Sequence, residues 1–144
     1  MNQGFDDCLK RHKITKFVKA KGLVEKELTS AETDLHSAKK SLKDKGYKWS
    51  IVQSYYSMFH SARTLIYSKG YRERSHYCLI IAVRTLFVQE SLLNHELVES
   101  LQLGKTLREN ADYYGDFSVD AACQMLKDAE DFLKVATELT RSKQ

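Results

Sequence analysis

Apolar residues recur along this chain at alternating steps of four and three, and no proline interrupts them. This spacing keeps one apolar stripe on one face of an α-helix. Turn-rich β-sandwiches need turn residues about every 8–12 positions, and a chain without proline and with six glycines does not supply them. No segment sustains an alternation of period two, so we expect no sheet. The two clearest stripes are Val24, Leu28, Ala31, Leu35, Ala38 and Leu42, and Val52, Tyr55, Phe59, Ala62 and Ile66.

Glycines and cap residues divide the chain into helices. We expect residues 5–20 to form a short, basic, amphipathic helix that Gly22 ends, and the two long helices that follow to stop at Gly46 and Gly70. Gly115 breaks the pattern again. Three further helices begin at the cap residues Ser75, Asn94 and Ser118. We therefore predict an all-α, up-and-down antiparallel bundle of four to five helices plus a short N-terminal helix. It is a single domain over 1–144, with 1–21 as the N-terminal extension helix and 22–142 as the bundle.

The composition excludes several classes of protein. No run of about 18 apolar residues is long enough to cross a membrane. The first residues have neither a cationic start nor an apolar core, so they do not form a secretory signal. Cys8, Cys78 and Cys123 are odd in number and far apart. We interpret them as reduced thiols of a cytoplasmic protein, with neither a disulfide nor a zinc site.

Positive charge is concentrated in the first half of the chain. Residues 1–75 hold 16 Lys and Arg against 8 Asp and Glu, whereas residues 76–144 hold 7 against 11. A basic face attracts phosphate backbones, and a solvated helix surface is the alternative interpretation. The early cations are Lys10, Arg11, Lys13, Lys16, Lys19 and Lys21, and Arg63, Arg72 and Arg74 follow.

A polar stripe lies beside the apolar stripe of the second long helix. Tyr56, His60, Arg63 and Tyr67 are spaced four, three and four apart, which places them on one face. Such a stripe flanks the core and can line a groove that binds a ligand. Alternatively, the aromatic bodies pack against neighbouring helices while their polar tips reach water.

A second polar group surrounds Arg108. Asp112 lies four residues further on and can pair with it across one helical turn. The pair is either structural or holds the guanidinium ready for a phosphate, which arginine binds through two parallel hydrogen bonds. The chain has no glycine-rich phosphate loop and no HExxH motif, and its five histidines lack a metal-ligand spacing. We therefore expect no metal and no cofactor.

These motifs resemble the prokaryotic HEPN-domain proteins over about residues 23–140. The resemblance rests on Tyr55-Tyr56-Ser57-Met58-Phe59-His60-Ser61-Ala62-Arg63, on Gly70-Tyr71 with Ser75-His76, on Arg108-Glu109-Asn110-Ala111-Asp112-Tyr113, and on Asp128-Ala129-Glu130-Asp131-Phe132-Leu133. It implies a helical bundle, commonly a homodimer. Many family members are metal-independent ribonucleases, often toxins that a minimal nucleotidyltransferase protein controls. In these ribonucleases an arginine is followed a few residues later by a histidine.

This chain departs from the ribonuclease pattern, because Tyr113, Tyr114 and Gly115 stand where that histidine would follow Arg108. A phenol is a poor general base near neutral pH. We therefore expect a non-catalytic RNA- or nucleotide-binding module that acts with a nucleotidyltransferase in a toxin–antitoxin system. A ribonuclease that uses Arg108 with His60 or His76 is the first alternative, and a structural protein-interaction domain is the second. The expected binding residues are Arg108, Asn110, Asp112, Tyr113, Tyr56, His60 and Arg63.

Overall fold

The computed structural model describes residues 3–141, and most of them are helical. The helices are α1 (Gln3–Lys10), α2 (Val24–Lys43), α3 (Tyr47–Ser68), α4 (His76–Val83), α5 (His95–Tyr114) and α6 (Val119–Arg141). A 3₁₀ turn, Ala20–Leu23, leads into α2, and a π-helical turn, Arg84–Val88, extends α4. Two short strands, β1 (Ile14–Lys16) and β2 (Tyr71–Glu73), complete the elements.

The four long helices form the predicted up-and-down bundle. Ser50 and Ser57 of α3 donate hydrogen bonds to the carbonyls of Ala38 and Ala31, so α2 and α3 run in opposite directions. Residue pairs that approach one another in opposite chain order show the same arrangement for α3 with α5 and for α2 with α6. These pairs are Tyr56–Arg108 and Met58–Gly104 between α3 and α5, and Lys39–Glu130 and Glu25–Arg141 between α2 and α6.

A row of small side chains brings α3 close to α2. Ser50, Ser54, Ser57 and Ser61 are spaced four, three and four apart, and all four are fully buried. The hydroxyls of Ser50 and Ser57 bond carbonyls of α2, whereas that of Ser61 bonds the Ser57 carbonyl within its own helix. Short side chains allow close approach, and the three bonded hydroxyls are buried at little cost. The Ser54 hydroxyl has no hydrogen-bond partner among the described residues.

The helix boundaries follow the sequence signals closely. The side chains of Ser75, Asn94 and Ser118 each accept a hydrogen bond from a backbone amide at the start of their helix. Gly70 and Gly115 follow α3 and α5 with φ of +85° and +63°, the left-handed conformation that glycine adopts without strain.

Helix α2 ends differently from the prediction. The left-handed residue is Lys45, with φ of +64°, whereas Gly46 directly precedes α3.

The N-terminal segment corrects the prediction of one helix over 5–20 without a sheet. Helix α1 ends at Lys10, His12 adopts a left-handed φ of +57°, and β1 pairs antiparallel with β2. The register pairs Ile14 with Glu73 and Lys16 with Tyr71. Strands of three residues are too short to show an alternation of period two, and β-branched residues favour extended backbone.

The prediction of three reduced cysteines is also wrong. A disulfide joins Cys8 of α1 to Cys78 of α4, with Cα atoms 5.9 Å apart, and only Cys123 among the three is free. The two partners are separated by 70 residues in sequence, so their spacing gives no sign that the fold brings them together. The bond ties the N-terminal segment to the bundle.

No helix within residues 3–141 combines the length and the apolar character that a membrane crossing requires. Residue 142, the expected last residue of the bundle, lies outside the described residues.

We expect the Cys8–Cys78 disulfide to stabilise the fold by up to about 4 kcal/mol, because it closes a long loop in the unfolded chain. Cys8→Ser should therefore lower the melting temperature measured by circular dichroism, and reductant should lower that of the wild type. The matched variant Cys123→Ser should melt like the wild type. Equal melting of all three proteins with and without reductant would contradict the prediction.

Candidate functional site

The guanidinium of Arg108 is held at the surface between two aromatic rings. Its central carbon lies 5.3 Å from the ring centroids of both Tyr56 and Tyr113, and the side chain is 19% exposed. The Nη2 atom lies 3.4 Å from a carboxylate oxygen of Asp112, which confirms the expected pair across one turn. The buried Nε atom has no hydrogen-bond partner in the part of the chain that the structure describes. The group is therefore oriented, and its Nη1 and Nη2 atoms each keep one N–H group beyond their contacts with Tyr113 and Asp112.

The end of α5 positions this arginine. Tyr113, which is 61% exposed, places its hydroxyl 3.4 Å from the Nη1 atom of Arg108. Asn110 acts through its backbone, since its carbonyl accepts hydrogen bonds from the amides of Gly115 and Asp116 at the turn. Within residues 3–141 the side chain of Asn110 makes no hydrogen bond, so its expected role as a binding residue stays a prediction.

His76 is joined to the same side of α3 through Tyr55. The Tyr55 hydroxyl lies 3.0 Å from Nδ1 of His76, and burial raises the pKa of Tyr55. Tyr55 therefore keeps its proton, and its hydroxyl can donate a hydrogen bond to Nδ1. A neutral imidazole that accepts at Nδ1 carries its own proton on Nε2. That Nε2 atom is buried and has no partner among the described residues.

A cleft of about 290 Å³ lies between α4 and α5 at this histidine. Burial lowers the pKa of His76, the nearby charge of Lys105 lowers it further, and Glu109 opposes both effects. The Tyr55 and Tyr56 rings meet edge to face, so the histidine and Arg108 are held by adjacent residues of α3. The cleft is lined by His76, Tyr77, Ile80, Gln102, Lys105 and Thr106.

We call these groups the Arg108 site, defined by Tyr55, Tyr56, His76, Lys105, Arg108, Asp112 and Tyr113. Its charges are paired, because Arg108 lies beside Asp112 and Lys105 lies 3.5 Å from Glu109. The hydrogen-bond donors that can reach a ligand come from Arg108 and Lys105. Such donors can bind an anionic group, and a phosphate fits the donors of arginine best.

The structure places His60 and Arg63 elsewhere, against α2 and β2. The two ring nitrogens of His60 face carboxylates of α2, with Nδ1 bonded to Glu27 and Nε2 lying 3.7 Å from Asp34. Arg63 contacts Glu27 at 3.5 Å and Glu73 at 3.2 Å. The predicted stripe is thus divided, because Tyr56 faces Arg108 while His60, Arg63 and Tyr67 form an α2–α3 network.

This α2–α3 network has the character of a structural tie. Burial acts to raise the pKa of Glu27, but the hydrogen bond with His60 and the charge of Arg63 outweigh it and leave that pKa below its usual value. Since Glu27 bonds His60 and pairs with Arg63, these two side chains are engaged within the protein rather than directed at a ligand. The described residues contain no group of His, Cys, Asp and Glu side chains arranged to hold a metal ion.

Sequence reasoning missed two members of the site. Tyr55 belongs to an apolar stripe by its spacing, and only the tertiary contact with His76 shows what its hydroxyl does. Lys105 lies one turn before Arg108 on α5, and its surroundings in the cleft carry no sequence signal.

The lowered pKa of His76 predicts an acid-sensitive contribution to stability. A folded-state pKa below the unfolded value means that this contribution is complete above about pH 6.5. It is lost as the pH falls through the folded-state pKa. We expect chemical unfolding of His76→Gln to depend less on pH in this range than that of the wild type.

His36→Gln is the matched control, since it replaces an exposed histidine of α2 and should keep the wild-type dependence. An NMR titration of the imidazole protons checks the cause directly. A His76 midpoint at or above the ordinary value would contradict the prediction.

Comparison with known families agrees with this architecture. The sequence model of the HEPN domain matches residues 24–143, a span that contains α2 to α6 and every residue of the Arg108 site. A search of curated proteins gives no significant match. Since the family match covers most of the chain, and the fold is the helical bundle that the resemblance implies, this protein belongs to the HEPN domain family.

Proposed function

We propose that this protein binds RNA or a nucleotide without cleaving it, and that Arg108 grips a phosphate of the ligand. The observation that carries the proposal is the arginine held between Tyr56 and Tyr113, whose Nη1 and Nη2 atoms each keep one N–H group beyond the contacts with Tyr113 and Asp112. Stacking against the rings fixes the plane of the guanidinium, which lowers the entropy cost of binding a phosphate through two hydrogen bonds. RNA binding is common in the family to which the chain belongs.

The chemistry of the site favours binding over cleavage. Tyr113 stands where the ribonuclease motif has a histidine, and its phenol is a poor proton acceptor near neutral pH. Neither ring nitrogen of His76 is open to a substrate, because Nδ1 is bonded to the Tyr55 hydroxyl and Nε2 is buried. The His60 ring faces Glu27 and Asp34 of the α2–α3 network.

The proposal extends to the partners that the family resemblance implies. We expect the protein to form a homodimer and to act with a minimal nucleotidyltransferase protein, in a system of the toxin–antitoxin type. Family membership supports this part of the proposal. The expected cytoplasmic location is no longer supported by the cysteines, because Cys8 and Cys78 form a disulfide and such bonds are rare in the cytoplasm.

We expect Arg108→Ala to weaken the binding of short single-stranded RNA by about tenfold to a hundredfold, the range for losing a charge-assisted hydrogen bond. The slope of log affinity against log salt concentration should fall by about one phosphate contact. Fluorescence anisotropy at several salt concentrations measures both quantities. Arg141→Ala removes an arginine that pairs with Glu25 on another face, and it should bind as the wild type does.

The structural alternative gives the opposite result in the same assay. If Arg108 only fixes the register of the helices, Arg108→Ala lowers the melting temperature and leaves binding unchanged. That outcome would replace the binding proposal with a protein-interaction domain.

A metal-independent ribonuclease is the second candidate. Its proton-transfer group would be His76 rather than His60, because of where His76 lies. His76 is half-buried, its pKa is lowered by burial, and it is linked through Tyr55 to the residue that stacks on Arg108. A neutral His76 would act as a base through Tyr55. The Tyr55 hydroxyl would pass its proton to Nδ1 of His76 and take a proton from the RNA.

Incubation of defined tRNA and mRNA in EDTA separates the two candidates. We expect intact RNA with the wild type, Arg108→Ala and His76→Gln. Cleavage by the wild type that is lost in both variants would establish the ribonuclease and overturn the non-catalytic proposal. Cleavage that persists equally in both variants indicates a contaminating nuclease, which further purification of the wild type must remove.

A further inference from the structure

A basic groove lies on the N-terminal side of the bundle, apart from the Arg108 site. It has a volume of about 470 Å³ and opens to solvent between the segment that follows β1 and the turn between α3 and β2. None of its lining residues belongs to the Arg108 site. The groove is lined by Lys16, Phe17, Val18, Lys21, Lys69, Gly70 and Tyr71.

The backbone of two distant segments builds the groove. Lys16 pairs with Tyr71 in the β1–β2 register, and the amide of Phe17 donates to the carbonyl of Gly70 at 2.9 Å. Gly70 has φ of +85°, and a side chain added there would meet no atom within 4 Å. The space above this glycine is open, so a ligand can approach the backbone closely.

The lysines of the groove are not neutralised by the protein. Among the described residues, no carboxylate lies within ion-pair distance of Lys16, Lys21 or Lys69. The Lys69 ammonium lies 5.4 Å from the ring centroid of Phe87. By contrast, Arg63 in the α2–α3 network contacts two carboxylates. A groove that keeps several unpaired cations attracts an anion.

A further cation lies against the groove wall. The guanidinium of Arg72 sits 4.8 Å from the ring centroid of Phe17. Its Nε atom is buried and has no hydrogen-bond partner within residues 3–141. Stacking therefore holds a further positive charge against the ring of Phe17, which lines the groove.

Apolar and aromatic groups lie between these charges. The rings of Phe17 and Tyr71 are partly exposed, and the Val18 side chain is completely exposed at the rim. Alternating cations and ring faces are the features with which proteins hold single-stranded nucleic acid, since phosphates meet the charges while bases cover the apolar groups. A small inorganic anion would leave Val18 and the rings uncovered.

We propose that this groove binds the phosphate backbone of single-stranded RNA. Four of its seven lining residues precede residue 24, where the match to the HEPN domain begins, so the groove depends on the N-terminal segment. It gives an RNA ligand a contact surface distinct from Arg108. The inference deepens the proposed function and rests on it only for the choice of RNA as the ligand.

The test compares two triple variants with equal loss of charge. Lys16→Gln, Lys21→Gln and Lys69→Gln together neutralise the groove, whereas the control combines Lys40→Gln, Lys43→Gln and Lys134→Gln, which are exposed and unpaired within the described structure. Anisotropy with labelled single-stranded RNA of mixed sequence measures affinity against salt concentration. We expect the groove variant to bind about tenfold more weakly, with a salt slope smaller by about two. The control should keep the wild-type slope.

Val18→Glu is an independent variant that places a carboxylate at the rim without altering the core. It should weaken RNA binding while its melting temperature stays that of the wild type. Normal binding by both Val18→Glu and the groove variant would overturn the proposal, as would equal weakening by the groove variant and its control.

Arg108→Ala in the same assay separates this inference from the proposed function. If the groove variant loses affinity and Arg108→Ala does not, the groove proposal stands and the proposed function of Arg108 fails. The reverse result leaves the function of Arg108 standing and overturns the groove.

Tripolyphosphate is the competitor that distinguishes the sources of phosphate. If tripolyphosphate displaces the labelled RNA at concentrations no higher than those of unlabelled RNA, the groove binds phosphate groups in general, and its assignment to a nucleic-acid strand is overturned.

Discussion

The close packing of α3 against α2 is the contact on which the rest of the structure depends. The serine row of α3 lets the two helices approach, and hydroxyls of Ser50 and Ser57 satisfy carbonyls of α2. Helix α3 also packs against α4, α5, α6 and β2, so most of its residues are buried. A larger side chain at a serine would push α2 away and shift every contact that α3 makes on its other sides.

Because α3 is surrounded, each of its polar side chains is assigned to one neighbour. Tyr55 and Tyr56 face α4 and α5, where they hold His76 and Arg108. His60 and Arg63 face α2 and β2, where both contact carboxylates. The same helix therefore carries a structural ion-pair network on one side and supports a site with unpaired donors on another. The two sides of α3 differ because different helices and strands meet them. The four α3 side chains themselves are all polar or aromatic and lie close together in sequence.

The N-terminal segment adds a second kind of surface to the bundle. The Cys8–Cys78 disulfide fixes α1 against α4, and the β1–β2 pairing fixes the segment that carries Lys16 and Phe17. Both constraints join residues more than 50 positions apart. They turn a basic stretch, which in isolation is only a charged chain, into a groove whose lysines lie beside aromatic rings. Charge alone attracts phosphates, whereas a fixed arrangement of charges and rings selects a strand.

The sequence by itself determined the long helices, the helix caps at Ser75, Asn94 and Ser118, and the Arg108–Asp112 pair. All of these depend on contacts within about one helical turn. It also carried the HEPN motifs. Only the tertiary structure decided that Tyr55 meets His76, that His60 meets Glu27, and that Cys8 meets Cys78. These contacts join residues at least 21 positions apart. Helical periodicity shows which face a residue occupies, but which neighbour meets that face is set by the packing of the whole bundle.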